Sequence, residues 1–179
     1  MSDEVLAAWQ AREAEVMAKV REVGVSRPEQ VLGRSGIEIF LALMDGELPM
    51  APIAKTLGFT LVEAEVGRVV FQGRPDFAYY NPLGTVHGGW YATLLDSALG
   101  CAVHTALPAG RSYTTLELKV NMIKALTVKV PLVRAEGKVI QVGRQVAVAE
   151  ASIHGVDGTL YAHATTTCLV FDLPSAPRA

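Results

Sequence analysis

The chain has 179 residues, half of them hydrophobic, and a formal net charge of −2 at pH 7. This length and composition predict one well-packed, soluble globular domain with or without an appendage, and they exclude a disordered chain. Cys101 and Cys168 lie in apolar surroundings, which is typical of reduced core thiols. Residues 1–5 lack the basic start and apolar run of a signal peptide, so we expect a cytoplasmic location.

Residues 1–48 are predicted to form a helical extension, because Val5, Trp9, Val16 and Val20 recur at helical spacing among charged residues. This segment has five basic and nine acidic residues, a net charge of −4, whereas the remaining residues have a net charge of +2. An appendage that binds nucleic acid is expected to be basic. We therefore expect a structural extension or a cover, and no nucleic-acid partner.

Residues 49–173 have the pattern of a sheet with one helix. Two strands, over 59–66 and 68–72, are expected to turn at Gly67, and a long apolar helix follows from Gly88 to Leu107. Further strands are predicted over 112–123, 128–140, 145–154 and 160–171, and residues 174–179 are expected to form a loose tail. In the first of these strands one face is predicted to carry Leu116, Leu118, Val120 and Met122. This order predicts an α+β domain in which an antiparallel sheet curls around the helix.

Asp96 is the only carboxylate in the predicted long helix. The helix is long enough to span a membrane, but Asp96, His104 and three glycines argue against contact with lipid, so no membrane partner is expected. A lone carboxylate among apolar side chains is unfavourable unless a specific group compensates it. Two interpretations stay open: a structural aspartate paired with a buried polar group, or a general base or nucleophile in water-poor surroundings.

The start of this helix offers a second group of candidate residues. His87 lies nine positions before Asp96, which would place the two on opposite faces if His87 continued the helix. They can meet if His87 belongs to a loop, or if one of them comes from another subunit of a dimer. Gly88 and Gly89 place unpaired backbone N–H groups where a substrate carbonyl can approach closely, as an oxyanion hole requires.

Other kinds of site find no support in the sequence. The histidines and cysteines lack the spacing of metal ligands, so we expect no metal. The phosphate-binding patterns GxGxxG and GxxxxGK[ST] are absent, and so is a serine elbow.

The run Asn81-Pro-Leu-Gly-Thr-Val-His-Gly-Gly, followed by Thr93-Leu-Leu-Asp96 and Gly100, carries a family resemblance. It closely resembles the motif of hotdog-fold acyl-CoA thioesterases of the phenylacetate-degradation (PaaI-like) type. The resemblance extends over residues 50–172 and includes the strand from Tyr113 and the Val142-Gly-Arg turn.

This resemblance implies a hotdog fold, in which a five- to six-stranded antiparallel sheet wraps around the central helix. It also implies a homodimer, often paired again into a homotetramer, with active sites at the subunit interface. Asn81, His87 and Gly88 would come from one chain and Asp96 from the other. The Gly88 amide would polarise the thioester carbonyl, Asp96 would activate water or attack directly, and Asn81 and His87 would position the thioester and the water.

Further site residues follow from the same resemblance. Thr115 corresponds to a hydroxyl residue near the attacking water, with Thr114 as the alternative. Arg144, next to Gly143, would meet the phosphates of coenzyme A, and a solvated turn arginine is an equal interpretation. The acyl group and the adjoining part of coenzyme A would be contacted by Gly89, Trp90, Tyr80, Val86, Tyr79 and Leu94, for several of which core packing is the alternative.

The resemblance implies hydrolysis of an acyl-CoA thioester, with an aryl or medium-chain acyl group, to a free acid and coenzyme A. No cofactor is expected, because coenzyme A is part of the substrate. Two alternatives stay open. One is a hotdog dehydratase or hydratase, which would need a histidine and a carboxylate placed to move a proton at carbon, and no second carboxylate lies near His87 in the sequence. The other is a non-enzymatic acyl-CoA-binding regulatory module. Minimal members of the family lack the N-terminal extension. Three interpretations stay open: the extension caps an acyl tunnel, it braces the dimer, or it does neither.

Overall fold

The computed structural model describes residues 2–173, so the tail predicted over residues 174–179 lies outside the described part of the chain. Within that range the helices are α1 (Ser2–Met17), α2 (Pro28–Val31), α3 (Gly36–Met44), α4 (Pro52–Thr56) and α5 (Gly88–Thr105). The strands are β1 (Phe59–Glu65), β2 (Arg68–Gly73), β3 (Arg111–Met122), β4 (Val133–Val142), β5 (Val146–Gly155) and β6 (Leu160–Asp172). None of these helices is long and apolar enough to cross a membrane.

The six strands form one antiparallel sheet in the order β1-β2-β4-β5-β6-β3. Helix α5 lies on one face of this sheet and contacts all six strands. Its inward side chains, which include Leu94, Leu95 and Leu99, are fully buried and form the centre of the core. The α+β fold predicted from the sequence, with an antiparallel sheet wrapped around one long helix, is therefore confirmed.

Small residues on the inner face of the sheet allow α5 to lie close to the strands. A Cβ atom at Gly137 of β4 would stand 2.2 Å from the carbonyl oxygen of Ala98 in α5, far inside van der Waals contact. The neighbouring inward positions are also small and buried, namely Ala135, Ala147, Ala149, Ala151, Ala162 and Ala164. The helix backbone thus packs directly against β4, and the mid-helix residues are fixed relative to the sheet.

Helix α1 covers the opposite face of the sheet. Gln72 of β2 points away from α5 and is completely buried, and its amide donates to the Trp9 carbonyl oxygen at 3.2 Å and to Glu13 at 3.1 Å. The guanidinium of Arg134 lies 4.5 Å from the centre of the Trp9 ring and also donates to Gln72. Arg12 donates to the Val62 carbonyl oxygen of the edge strand β1 at 2.8 Å. These polar contacts fix α1 to the sheet from β1 to β4.

Helix α3 packs against the C-terminal half of α5. The Gly36 N–H donates to the Leu107 carbonyl oxygen at 3.0 Å, and a Cβ at Gly36 would stand 1.7 Å from the His104 carbonyl oxygen. The Phe40 ring meets the His104 ring edge to face at 5.5 Å. Residues 2–48 therefore contact both the outer face of the sheet and the central helix, and α1, α2 and α3 are separated by non-helical residues.

The start of β4 differs from the sequence prediction. Residues 128–132 were expected to be part of this strand, but it begins at Val133. The Val130 N–H closes a turn by donating to the Thr127 carbonyl oxygen at 3.0 Å, and the Tyr80 hydroxyl accepts from the Val128 N–H. Pro131 has no N–H to give to a strand partner.

Candidate active site

The Asn81 side chain forms hydrogen bonds within its own loop. Its amide oxygen accepts from the backbone N–H groups of Leu83 at 2.9 Å and Thr85 at 3.3 Å, and its NH₂ group donates to the Thr85 hydroxyl at 3.0 Å. This pattern is an Asx turn, in which the side chain replaces a backbone partner. Asn81 therefore shapes the loop that leads to the start of α5.

His87 is the N-cap of α5, and its Nδ1 atom accepts from the Gly89 N–H at 2.8 Å. An acceptor nitrogen carries no proton, so the neutral ring has its proton on Nε2, and that N–H is a donor on the exposed side. Among the hydrogen bonds of residues 2–173, none is donated by the Gly88 N–H. This free amide lies at the positive end of an 18-residue helix, next to the Met122 side chain.

Asp96 lies in the middle of α5 and is partly exposed rather than fully buried as its apolar neighbours suggested. Its Oδ1 atom accepts a hydrogen bond from the Thr115 hydroxyl of β3 at 3.0 Å. Thr114, the alternative considered from the sequence, is exposed, and its side chain makes no contact with Asp96 among the described hydrogen bonds. This neutral hydroxyl orients the carboxylate, and Asp96 forms no ion pair within residues 2–173.

A β-bulge places Thr115 on the inner face of the sheet. The register between β3 and β6 pairs Thr115 with Cys168 and Glu117 with Thr167, so Leu116 is an extra residue without a partner. The prediction that Leu116 shares a face with Leu118 is wrong, because the bulge turns Leu116 outwards, where it is 60% exposed. Without this extra residue, Thr115 would lie on the same face as Glu117.

Asp96 lines a cavity of about 300 Å³ that is enclosed mainly by apolar side chains. Among the described residues that line it, Asp96 is the one with a charged side chain. Burial raises the pKa of the Cys101 thiol to about 12 and raises the pKa of the Tyr113 hydroxyl well above its usual value, and the charge of Asp96 adds to both shifts. These two groups therefore stay neutral at pH 7.

Asn81 and Gly88 line a different cavity, of about 260 Å³, together with Met122 and Lys124. His87 and Gly89 border a third space, a shallow groove beside Tyr79 and Tyr80. One chain therefore holds the loop residues and the Asp96–Thr115 pair in separate places. The structure brings Asp96 and Thr115 together, and it brings Asn81 and Gly88 together, but it does not join the two groups.

Three of the residues predicted to contact substrate, namely Val86, Trp90 and Leu94, have side chains in the core. Val86 and Trp90 are each 3% exposed, and the indole N–H of Trp90 donates to the Leu57 carbonyl oxygen at 2.8 Å. Leu94 is fully buried, and the Tyr80 hydroxyl is engaged by the Val128 N–H at 2.8 Å. Packing accounts for most of the surface of these side chains.

The predicted coenzyme A residues lie at the turn between β4 and β5. Arg144 is exposed, and its carbonyl oxygen accepts from the Arg111 side chain. The Gly143 N–H donates to the Val146 carbonyl oxygen at 2.8 Å, which closes the turn. The Arg144 guanidinium makes no ion pair among the described residues, so its charge faces solvent.

The sequence reasoning missed the part of the Asp96 cavity that comes from the N-terminal segment. Val16, Val20, Leu43 and Met44 line it, and no motif marks them, because their spacing is that of any amphipathic helix. Among residues 2–173 no group of three or more His, Cys, Asp or Glu side chains is arranged to hold a metal ion.

Comparison with known proteins identifies the domain. Residues 83–162 match the model of the thioesterase superfamily. A protein from Halobacterium salinarum with a provisional esterase assignment is 40% identical over 72 residues, which are 39% of this chain, and the chain spans about half (46%) of that relative.

Two solved structures extend the similarity over most of the chain. A phenylacetic acid degradation-related protein from Ralstonia eutropha is 29% identical, with a TM-score of 0.66, over 73% of this chain and 98% of that one. A hypothetical thioesterase from Streptococcus pneumoniae, determined with coenzyme A, is 25% identical with a TM-score of 0.61, over 68% and 94% of the two chains. The fold and the motif define a hotdog domain of thioesterase type. Residues 83–162 are similar to the thioesterase superfamily, and this similarity confirms the resemblance seen in the sequence.

Proposed function

We propose that this protein is an acyl-CoA thioesterase that hydrolyses an aryl- or medium-chain acyl-CoA to the free acid and coenzyme A. The observation that carries the proposal is the Asp96 carboxylate, which Thr115 orients at the wall of an apolar cavity. Support also comes from the superfamily match and from the similar Streptococcus pneumoniae structure that contains coenzyme A.

The proposed reaction uses the Gly88 amide and the Asp96 carboxylate on the two sides of the thioester. The Gly88 N–H donates to the carbonyl oxygen and stabilises the negative charge that develops there. Asp96 takes a proton from a water molecule whose oxygen attacks the carbonyl carbon. The carbon–sulfur bond then breaks, and the leaving thiolate takes up the proton. Direct attack by Asp96, followed by hydrolysis of the resulting anhydride, is the second form of the same chemistry.

His87 and Asn81 support the donor side of this site. The Nε2–H of His87 is oriented by the bond between Nδ1 and the Gly89 N–H, so we assign it the positioning of the thioester. Asn81 holds the loop that carries His87 and Gly88, and we assign it a positioning role through that loop.

We propose that the complete site forms between two copies of the chain, in a homodimer or a dimer of dimers. This follows from the separation of the two groups, since Asn81 and Gly88 line one cavity and Asp96 lines another. In this arrangement Arg144 lies at an exposed turn where it can meet the phosphates of coenzyme A. The reaction needs no cofactor, because coenzyme A enters with the substrate.

Two free cysteines, one of them fully buried, are consistent with our proposal that the protein works in the reducing cytoplasm. We further propose that residues 1–48 form an extension of a hotdog domain over residues 49–173.

The test is the substitution Asp96→Asn, which keeps the shape of the side chain but removes its ability to accept a proton. We expect the rate of thiol release from octanoyl-CoA and phenylacetyl-CoA to fall about 100-fold or more. Asp3→Asn, on the exposed start of α1, is the matched control and should leave the rate unchanged. Parental rates in Asp96→Asn would overturn the assignment. Tight binding of acyl-CoA without thiol release by the parent protein would favour the regulatory binding module instead.

A further inference from the structure

The cavity beside Asp96, here called the acyl cavity, is built largely by residues that precede β1. More than half of the side chains that line it come from residues 16–54, and all of these are apolar. They include Val16, Val20, Phe40, Leu43, Met44 and Ile53. Five of the nine lining residues from this range belong to residues 1–48, so the N-terminal segment supplies a large part of the wall of the space that Asp96 faces.

The opposite wall belongs to the sheet and the central helix. This wall includes Leu61 of β1, Phe71 of β2 and Cys101 of α5. The Cys101 thiol is neutral at pH 7, because burial raises its pKa to about 12. The Asp96 carboxylate is on this wall. An apolar space with one carboxylate on its wall suits a ligand that has an apolar body joined to a single polar reacting group.

The size of the acyl cavity limits that apolar body. Its volume is about 300 Å³. A water molecule occupies roughly 30 Å³ in the liquid, and a methylene group is of similar size, so the space holds on the order of ten non-hydrogen atoms. Octanoyl, decanoyl and phenylacetyl groups have this size, whereas an acetyl group leaves most of the apolar wall without contact.

The N-terminal wall is held in a fixed position. Helix α3 begins with a capping box, in which the Glu38 carboxylate accepts from both the N–H and the hydroxyl of Ser35 at 2.6 Å. Its first residue, Gly36, is pressed against α5, and Arg12 ties α1 to the edge of the sheet. A wall held by these contacts discriminates ligands by length, because a longer chain must break the contacts to displace it.

We infer that the N-terminal segment is the specificity-determining wall of the acyl site, and that it selects medium-chain and arylacetyl groups. Leu43 and Val20 line this site, and we expect the size of their side chains to limit the acyl group that it accepts. The inference rests on the proposed thioesterase function, and it assigns to residues 1–48 a role in substrate choice.

The experiment fills the acyl cavity from the N-terminal side. Leu43→Trp places a larger side chain into the space, and Leu41→Trp, two residues earlier in α3 and 46% exposed, is the matched control. We expect kcat/KM for octanoyl-CoA and phenylacetyl-CoA to fall about tenfold or more in Leu43→Trp, with a much smaller fall in kcat/KM for acetyl-CoA. Leu41→Trp should keep the parental profile.

A second pair guards against a folding defect in α3. Val20 lines the same cavity, and Val20→Phe places a larger side chain into it. Val25 is 83% exposed, so Val25→Phe is the matched control. Only Val20→Phe should shift the preference towards short acyl groups. Equal losses for all substrates, or an unchanged profile in both cavity variants, would overturn the inference. If the parent protein releases no thiol from any acyl-CoA, the proposed function fails, and this outcome is distinct from a parent that is active without selectivity for chain length.

Discussion

The hydrogen bond between Thr115 and Asp96 depends on a single extra residue in β3. Because Leu116 bulges outwards, Thr115 shares the inner face with Leu118 and reaches the carboxylate at 3.0 Å. Bulges next to active sites commonly re-aim one side chain in this way. The hydroxyl fixes the direction of the carboxylate, so its removal should weaken the reaction without removing the base.

Thr115→Val tests this positioning role, with its neighbour Thr114→Val as the control. A hydrogen bond to a charged group is worth about 1.5 to 3 kcal/mol, so we expect kcat to fall roughly tenfold to 100-fold in Thr115→Val. KM should change little, because the acyl cavity keeps its shape. Thr114 is exposed, and its variant should retain parental kinetics. Steady-state kinetics with octanoyl-CoA measure both, and Thr115→Ser should recover most of the lost rate.

At the level of elements, the position of α5 depends on its contact with β4. Asp96 lies only two residues from Ala98, whose carbonyl oxygen would stand 2.2 Å from a Cβ atom at Gly137. Both groups in this contact are backbone, so neither can rotate away. The distance between the carboxylate and β3 is therefore tied to the absence of a side chain at residue 137.

Gly137→Ala should push α5 away from the sheet. We expect the free energy of unfolding to fall by about 2 to 3 kcal/mol, since overpacking in a close-packed core forces the backbone to shift. Gly24→Ala is the control, because its nearest neighbour, the Pro49 Cβ atom, would stand at an ordinary 3.7 Å. Urea unfolding of both variants measures the difference. Equal stability of the two variants would show that the helix is not held by this contact.

At the scale of the whole molecule, the candidate site is divided into two halves within one chain. Asn81 and Gly88 belong to one half, and Asp96 and Thr115 belong to the other. Symmetric pairing of two chains gives each half a partner and generates two equivalent sites. This is the physical basis for proposing a homodimer.

Mixing two inactive variants tests the divided site. His87→Ala damages one half and Asp96→Asn damages the other, so a hybrid dimer contains one intact site and one doubly altered site. Random exchange of subunits should restore about a quarter of the parental activity. Co-expression of the two variants followed by thiol-release assays measures the recovery. Activity no higher than the sum of the separate variants would contradict a site shared between subunits.

Much of this fold could be predicted from the sequence, because alternation of apolar residues and turn glycines marks strands directly. Gly67 lies where a hairpin turn was expected, and the apolar run from Gly88 forms the central helix. The bulge at Leu116 could not be predicted, because Leu116 is apolar and continues the alternation of Leu118 and Val120 in the sequence, although the strand pairing shifts there. The prediction that β4 begins at residue 128 was wrong, because it followed hydrophobicity alone. Hydrophobicity does not take into account that Pro131 has no N–H to donate to a neighbouring strand.

The candidate site could be predicted only as a set of residue types. The sequence marks Asp96 by its isolation among apolar residues, but it does not show that the carboxylate is partly exposed or that Thr115 is its partner. The acyl cavity is a tertiary feature, because residues 16–54 meet Asp96 only after the chain has folded back. The roles of these residues in substrate binding and catalysis are predictions, which the variants described above test.

The contact between Trp9 and Arg134 joins parts of the chain that are far apart in sequence. A polypeptide that leaves the ribosome from its N-terminus presents α1 long before β4 has been synthesised. This N-terminal segment is therefore synthesised well before its partners on the sheet, and it docks only after they have paired. Local opening of this segment would widen the acyl cavity while Asp96 and Thr115 stay in place. Heating or mild denaturant should thus broaden the range of accepted acyl groups before it abolishes hydrolysis.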